Sequence, residues 1–451
     1  MLKLKNDQMD LWESIFPKES FPLNEELEAI EQILSDEQFF EPYIKKYNEV
    51  MGRPTIPVDT YHRMMYIKYR YQLSYEQLEH EVNDSIAWRR FCRVQFHELA
   101  PDGTTLCKLT KKYGEDVIQR INELILEKYK KKKVIRGKKL RTDTTVVHAN
   151  IHYPTDAGLL TDCIRTITRT VTKLKEQGVK IKERFNSHLR NAKRTLLGMS
   201  KSSRTRTGES KKAVSRGNVK LVELTKKAVS KAQKIFRRIK KSRNPGIRKL
   251  REEFKRTRAI TEEIISQTEE VLNGNTHIPN RKVSIFDTGA VPIKRGKSHT
   301  PTEFGRKVVL QEAEHGVITG YDVLKGNPRD VGLVDQVLNT HKRVFGRLPS
   351  EFAADRGFYS EEKEEELKSL GVDKVCIPAL GKTSKQRKKY QRQFWFKRLM
   401  RFRAGSESTI SNLCRMFLFR RSLSRSDEGA KSWIGWSIFS YNLWRYAVWV
   451  T

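Results

Sequence analysis

The sequence predicts an α/β protein: a mixed sheet preceded by an all-helical block and interrupted by a long basic helical insertion. Three observations carry this. The run LRTDTTVV around Asp143 is β-branched and reads as a strand. After Pro279, strand-like runs come first and then alternate with helical ones, an order that fits a sheet with mixed pairing. Between these regions, residues 161–280 hold 32 Lys+Arg against 11 Asp+Glu, an excess of 21 positive charges, on a helical apolar period.

The chain divides into five expected regions. Residues 1–115 are helical: a helix over 61–71, a second opened by Ser74 and Gln77 at capping-box spacing, and a third after Asn83-Asp84-Ser85 that carries Trp88, Arg89, Arg90, Phe91 and Arg93. Short helices with tight joints and a basic third member fit a helix-turn-helix-like unit, and equally a bundle with a solvated basic face. Residues 116–156 supply a connecting helix and the strand with Asp143.

Residues 157–280 form the basic insertion, with apolar positions such as Val222, Ala228, Ala232, Ile235 and Phe236. It is broken at 198–210 and at Asn244-Pro245-Gly246. A charged solvated hairpin explains the helices but not so lopsided a sign; an arm that tracks phosphates explains both.

In 281–424 the expected strands are 283–286, 304–311, 316–324, 352–355 and 374–378. The second and third form a hairpin through Glu314-His315-Gly316. The expected helices are 330–345, stopped at Gly346, and an acid-rich one capped by Ser360 and stopped at Gly371. Residues 381–403 contain ten Lys or Arg and no acid, interleaved with Tyr390, Phe394, Trp395, Phe396 and Phe402, a mixture suited to phosphate contact and base stacking. Residues 425–451 form an aromatic helix with Trp433, Trp436, Trp444 and Trp449; Asn442 and Arg445 within it argue for packing on the core rather than for a membrane span.

Composition points to a polyanion. With 89 Lys+Arg against 54 Asp+Glu the chain carries +35, far more than solubility requires. The N-terminal MLKLKNDQMDLWESIFP has no apolar signal core, and the five cysteines are scattered without a Cys-x-x-Cys, so a reducing cytoplasm is expected. Arg295-Gly296-Lys297-Ser298 and Gly381-Lys382-Thr383 resemble the end of a phosphate-binding loop but lack its first glycine, which leaves nucleotide hydrolysis unsupported.

Three carboxylates stand apart. Asp143 lies inside its strand. Asp355, in EFAADRGFYS, ends a buried one. Glu407, in RFRAGSESTISN, is expected to open a helix on the first turn of a stripe formed by Ile410, Leu413, Cys414, Phe417 and Leu418. A carboxylate there is costly unless it is paired or holds a cation. Each acid alone is more often structural; together, in this order, they favour a metal site. Asp287 and Asp330 are the alternatives if the strand register differs.

The order strand Asp, strand Asp, helix Glu, with DTTVV, ADRGFYS and RAGSESTISN, resembles the DDE transposases of bacterial insertion sequences, of the IS-four and IS-five type, with an RNase H-like catalytic core. The resemblance runs over most of the chain. It implies that Asp143, Asp355 and Glu407 are catalytic and hold two Mg²⁺ or Mn²⁺ ions for phosphoryl transfer. It also implies double-stranded DNA, element ends and target, as partner. A homodimer or larger assembly on DNA and a nucleoid-associated cytoplasmic protein follow from it, and the N-terminal block becomes an end-binding domain, with its Pro101-Asp102-Gly103-Thr104-Thr105 stretch included in the likeness. Relatives frame the helix glutamate with Tyr, Arg and Lys. Here Arg403 matches, Met400 and Cys414 stand at the other two positions, and Arg415 is adjacent. The expected DNA contacts are Arg403, Arg415, Arg356, Lys397, Arg398, Arg401, Arg89, Arg90 and Arg93. The rival readings are a nuclease of the same fold without strand transfer, and a DNA-binding repressor or architectural protein whose carboxylates are structural.

Overall fold

The structure is a computed structural model that describes residues 2–5, 22–47, 54–181, 185–205, 207–239, 242–294 and 301–450. The Arg295-Gly296-Lys297-Ser298 motif and most of the N-terminal stretch lie outside these residues. The chain forms two compact units, one of Met1–Asn150 with Arg306–Thr451 and the other of Ile151–Gly305.

The first unit begins with helices α1 (Glu25–Leu34), α2 (Glu41–Ile44), α3 (Val58–Arg70), α4 (Tyr75–Asp84), α5 (Ile86–Cys92) and α6 (Gly103–Lys131). Ser74 and Gln77 make the reciprocal capping box that opens α4. The basic third helix is α5, and its arginines are largely spent inside the protein. Arg89 is buried and donates to the carbonyls of Gln95, Phe96 and Glu98, while Arg93 pairs with buried Asp59 at 2.5 Å. Arg89 and Arg93, two of the expected phosphate ligands, thus direct most of their bonding inward, although the Arg93 side chain stays 31 % exposed and the Arg89 Nε–H has no acceptor among the described residues. Arg90 is half-buried and also engaged.

After α6 comes β1 (Lys139–Ala149), a strand with most residues buried. The chain enters it through Gly137, at φ +64°. The Glu314 carboxylate accepts N–H groups of Arg136, Gly137, Lys138 and Lys139, and although burial would raise its pKa, these bonds hold it below the usual value.

The second unit contains α7 (Asp156–Glu176), α8 (Leu189–Ser202), α9 (Gly208–Arg238) and α10 (Pro245–Leu272). Its helices bury Leu160, Ile164, Leu221, Ala228 and Ile264 in one cluster, and Ile167, Val171, Ala232, Phe236 and Phe254 in another. Asn244 caps α10 with Pro245 in its first turn, as the breaker signal predicts. The other break is shorter than expected, since α8 runs through Gly198 to Ser202. Residues 283–286 are not a strand. The Ser284 hydroxyl accepts the N–H groups of Phe286 and Asp287 and bends the chain, a local bond that competes with ladder pairing. The strand is instead β2 (Val291–Lys294), antiparallel to residues 302–305.

The chain returns through β3 (Thr302–Glu312) and β4 (Ile318–Val323), a hairpin turned at His315 and Gly316, both at positive φ. Then follow α11 (Val334–Phe345), β5 (Glu351–Ala354), α12 (Glu361–Ser369), β6 (Lys374–Cys376), α13 (Lys385–Arg392), α14 (Phe394–Met416), β7 (Arg421–Ser422) and α15 (Asp427–Val450). The strand order is β3-β1-β5-β6, with β1, β5 and β6 parallel, β4 outside β3, and β7 parallel to the end of β1. This is the mixed α/β sheet that the sequence predicts.

The sheet has a helical layer on each face. Leu140, Phe352 and Ala354 point to Val334, Val337 and Leu338 of α11 and Leu367 of α12. Val147, Val308 and Leu310 point to Leu413 of α14 and to Ile434, Ile438 and Tyr441 of α15. The aromatic C-terminal helix also closes the N-terminal core, where Trp436, Phe439 and Leu443 join Tyr61, Met65, Ile121 and Ile125. Among the described residues no helix is long and apolar enough to cross a membrane.

Candidate active site

Register places the first two acids side by side. β1 and β5 pair in parallel with Thr142 opposite Ala354, so Asp143 and Asp355 are the next residues on adjacent strands. Neighbouring strands lie about 4.8 Å apart. Alternation then sets direction: Asp143 shares the face of Arg141 and Val147, the face covered by α14 and α15. Asp355 is one residue past β5 and caps a short 3-10 turn, its Oδ1 accepting the Arg356 N–H at 2.6 Å.

Glu407 comes to the same place from α14, but not as expected. It sits well inside the helix, which begins at Phe394, and its side chain is 68 % exposed. The buried stripe passes instead through Phe396, Leu399, Ser406, Thr409 and Leu413. Two small hydroxyl residues sit on that face, so a stripe traced from large apolar residues alone is rotated by about one residue, or ~100°.

Arg403 ties the acids together. Its guanidinium lies 3.0 Å from Glu407, one turn on, and 3.6 Å from Asp355. It also acts on Asp143, whose carboxyl is raised above the usual range mainly by burial; the Thr144 N–H, the Arg403 charge and the Ser406 hydroxyl lower it, while the Asp355 charge raises it. Asp143 Oδ1 accepts the Thr144 N–H at 2.7 Å and Oδ2 the Ser406 hydroxyl at 3.2 Å.

Among the described residues no three His, Cys, Asp or Glu side chains converge closely enough to hold an ion as they stand. The set nevertheless fits a hard divalent cation. All three groups are carboxylates, Asp143 and Asp355 repel each other on adjacent inner strands, and the cation that neutralises them, Arg403, leaves its buried Nε–H without an acceptor among the described residues.

Behind these acids lies a buried network that sequence reasoning missed. Arg141 Nε and Nη2 donate to Glu312 Oε2 at 3.0 and 2.5 Å, and Nη1 donates to the Phe402 carbonyl at 2.5 Å. The guanidinium also lies over the Phe402 ring, and the Thr409 hydroxyl donates to Glu312 at 2.7 Å. Gly405 leaves room for it, because a Cβ there would fall 2.2 Å from Arg141 Nη1 and would push the guanidinium aside. The network fastens α14, with Arg403 and Glu407, to the strand of Asp143. A signal was present: Arg141 stands two residues before Asp143, on the same buried face, and a buried arginine needs a buried acid.

The alternative carboxylates separate. Asp330 lies near the site, pairing with Lys307 at 2.7 Å and 3.5 Å from the Thr144 hydroxyl. Asp287 is buried in the second unit. Of the expected phosphate ligands near the acids, Arg356, Lys397, Arg401 and Arg415 are exposed. Arg398 is exposed as well and pairs with Glu351 at 2.5 Å. Lys397, Arg401 and Glu407 follow one another at spacings of four and six residues on the exposed face of α14, so the two cations lie ~15 and ~9 Å along the helix from the acid.

Two family models match the chain. Residues 16–112 match the family described as Transposase domain, and residues 276–443 match the Transposase DDE domain. The second match includes Asp355 and Glu407 and begins after Asp143, which the sheet brings beside Asp355. No curated protein and no solved structure matches the chain.

Proposed function

We propose that this chain, which belongs to the DDE transposases of insertion sequences, cuts DNA at its element's ends and joins the freed 3′-hydroxyl to target DNA, with Asp143, Asp355 and Glu407 as its catalytic acids. The observation that carries the reading is the parallel register that sets Asp143 beside Asp355, together with the Arg403 contacts to Asp355 and Glu407.

Asp143 and Asp355 would hold a divalent cation between adjacent strands, and Glu407 would complete the set from α14. Mg²⁺ or Mn²⁺ is the choice that an all-oxygen set favours, and the family likeness implies two ions. Such ions, when bound, supply the positive charge that activates an attacking oxygen and stabilises the leaving one. The protein's own groups orient these acids. The Thr144 N–H and the Ser406 hydroxyl fix the Asp143 carboxylate, and the Arg141–Glu312 pair fixes α14. Arg403, once released from the acids, is placed to hold a phosphate near the scissile bond, and the exposed Arg356, Lys397, Arg401 and Arg415 extend the cationic surface.

The second unit supplies affinity rather than sequence reading. Lys212, Arg216, Lys220, Lys227 and Lys234 are exposed on α9 at spacings of four or seven residues, one continuous stripe. Lys and Arg contacts to phosphates position DNA without reading it. The test is cleavage and joining on a duplex carrying the element's ends, with Mg²⁺ and full-length protein. A nick and a joined product support the reading. A nick that is never joined marks a nuclease, and binding with no metal-dependent nick marks a DNA-binding protein without catalysis.

A further inference from the structure

In the first unit a cavity of about 1260 Å³ opens between α3, α4, α6 and the start of α15. Lys68 lines it. The residue is 2 % exposed, and among the described residues no carboxylate pairs with its ammonium. Its contacts are instead three ring faces, Tyr69, Tyr75 and Trp433, each 4.6 to 4.7 Å from Nζ. Aromatic faces attract a cation but replace only part of the hydration that burial removes. Burial accordingly lowers the Lys68 pKa to about 7, against a small opposing effect of the Cys107 thiol.

A buried cation with no counter-ion, at the wall of a cavity this size, is unfinished electrostatics. The other lining groups complete the description of a site for an anion. Ser74, Ser424, Ser426 and Ser432 line the same space, as does Thr110, whose hydroxyl donates to the Leu106 carbonyl. Lys111 and Lys112 also line it. Of the four acids around it, Asp116 is paired with Lys46 and Glu115 with Lys431, while Glu76 and Glu428 are exposed to solvent, where water screens them.

We infer that this cavity is a phosphate-binding site in which Lys68 is the buried counter-ion and the surrounding serine hydroxyls are hydrogen-bond donors. The phosphate group can belong to DNA or to a small free phosphate compound, and the site chemistry is the same for both. The inference does not rest on the catalytic reading, since none of its residues touches Asp143, Asp355 or Glu407.

Calorimetric titration of the full-length protein with inorganic pyrophosphate, at ionic strength matched with chloride, tests it. Saturable binding is expected in the wild type, weakened at least tenfold in Lys68→Met and largely retained in Lys68→Arg. A short 5′-phosphorylated oligonucleotide that competes for the same site identifies DNA as the source, and pyrophosphate binding that DNA does not displace identifies a free phosphate compound. A second measurement needs no variant: pyrophosphate should protect Lys68 from an amine-acylating reagent, read by peptide mapping. Equal affinity in wild type and a folded Lys68→Met, or acylation of Lys68 that pyrophosphate leaves unchanged, would overturn the inference.

Discussion

Arg141 and Glu312 form a buried ion pair two residues upstream of Asp143, with side chains 8 % and 2 % exposed. Removing one partner strands the other charge. Arg141→Ala should therefore destabilise the protein by about 3–5 kcal/mol, whereas Arg141→Met with Glu312→Leu should recover most of that loss. Cleavage should stay low in the double variant, because its apolar pair no longer bonds the Phe402 carbonyl or Thr409 on α14. Denaturant melts and cleavage rates on the same preparations check both halves. Full activity in the double variant would show that the pair serves stability alone.

Gly405→Ala probes the same joint from the helix. The new methyl would displace the Arg141 guanidinium, so cleavage should fall at least tenfold even though alanine favours the helix by about 1 kcal/mol. Wild-type cleavage would mean that Arg141 has room to move.

The raised Asp143 pKa gives a stability signature with a definite sign. A carboxyl whose pKa is higher folded than unfolded binds more protons in the folded state, so its charge costs stability as pH rises through that range. Asp143→Asn keeps an oxygen for the Thr144 N–H and removes the charge. It should abolish cleavage and raise the melting temperature at neutral pH in metal-free buffer. That gain should shrink as pH falls through the range and vanish below the unfolded value near 3.8. An unchanged melting temperature at neutral pH would mean that Asp143 is better solvated than its burial implies.

Arg403→Gln should move the acid limb of the cleavage profile to higher pH. The Arg403 charge lowers the Asp143 pKa, and without it burial acts with less opposition. A profile that keeps its shape while the rate drops would assign Arg403 to DNA contact only.

The α9 stripe predicts a salt effect. Replacing Lys212, Arg216, Lys220, Lys227 and Lys234 with Gln should flatten the dependence of log affinity on log salt by about 0.9 for each phosphate no longer neutralised, leaving preference for end sequence unchanged. An unaltered slope in a filter-binding series would place DNA elsewhere.

Much of this is legible in the sequence because local rules and tertiary structure agree. β-branching marks β1, the capping box opens α4, Gly346 stops α11, and Glu314-His315-Gly316 turns the hairpin. What escapes is long-range. Nothing local pairs Arg141 with Glu312, 171 residues away, or shows that Arg89 folds back on the carbonyls of Gln95, Phe96 and Glu98. The apolar stripe misplaces the helix of Glu407 because Ser406 and Thr409 are buried for their hydrogen bonds, which hydrophobicity does not mark. Residues 283–286 have the composition of a strand, but the Ser284 hydroxyl captures the N–H groups that a ladder would need.

The most direct test of the central claim is cleavage of end-containing duplex by Asp143→Ala, Asp355→Ala and Glu407→Ala, with and without Mg²⁺, beside a gel shift on the same preparations. Each variant should lose cleavage by about 100-fold or more while binding DNA nearly as well as wild type, and the wild type should be silent in EDTA, because metal ligands act on the transition state and phosphate contacts supply affinity. Cleavage that persists in EDTA, or in any one of the three variants, would contradict the account.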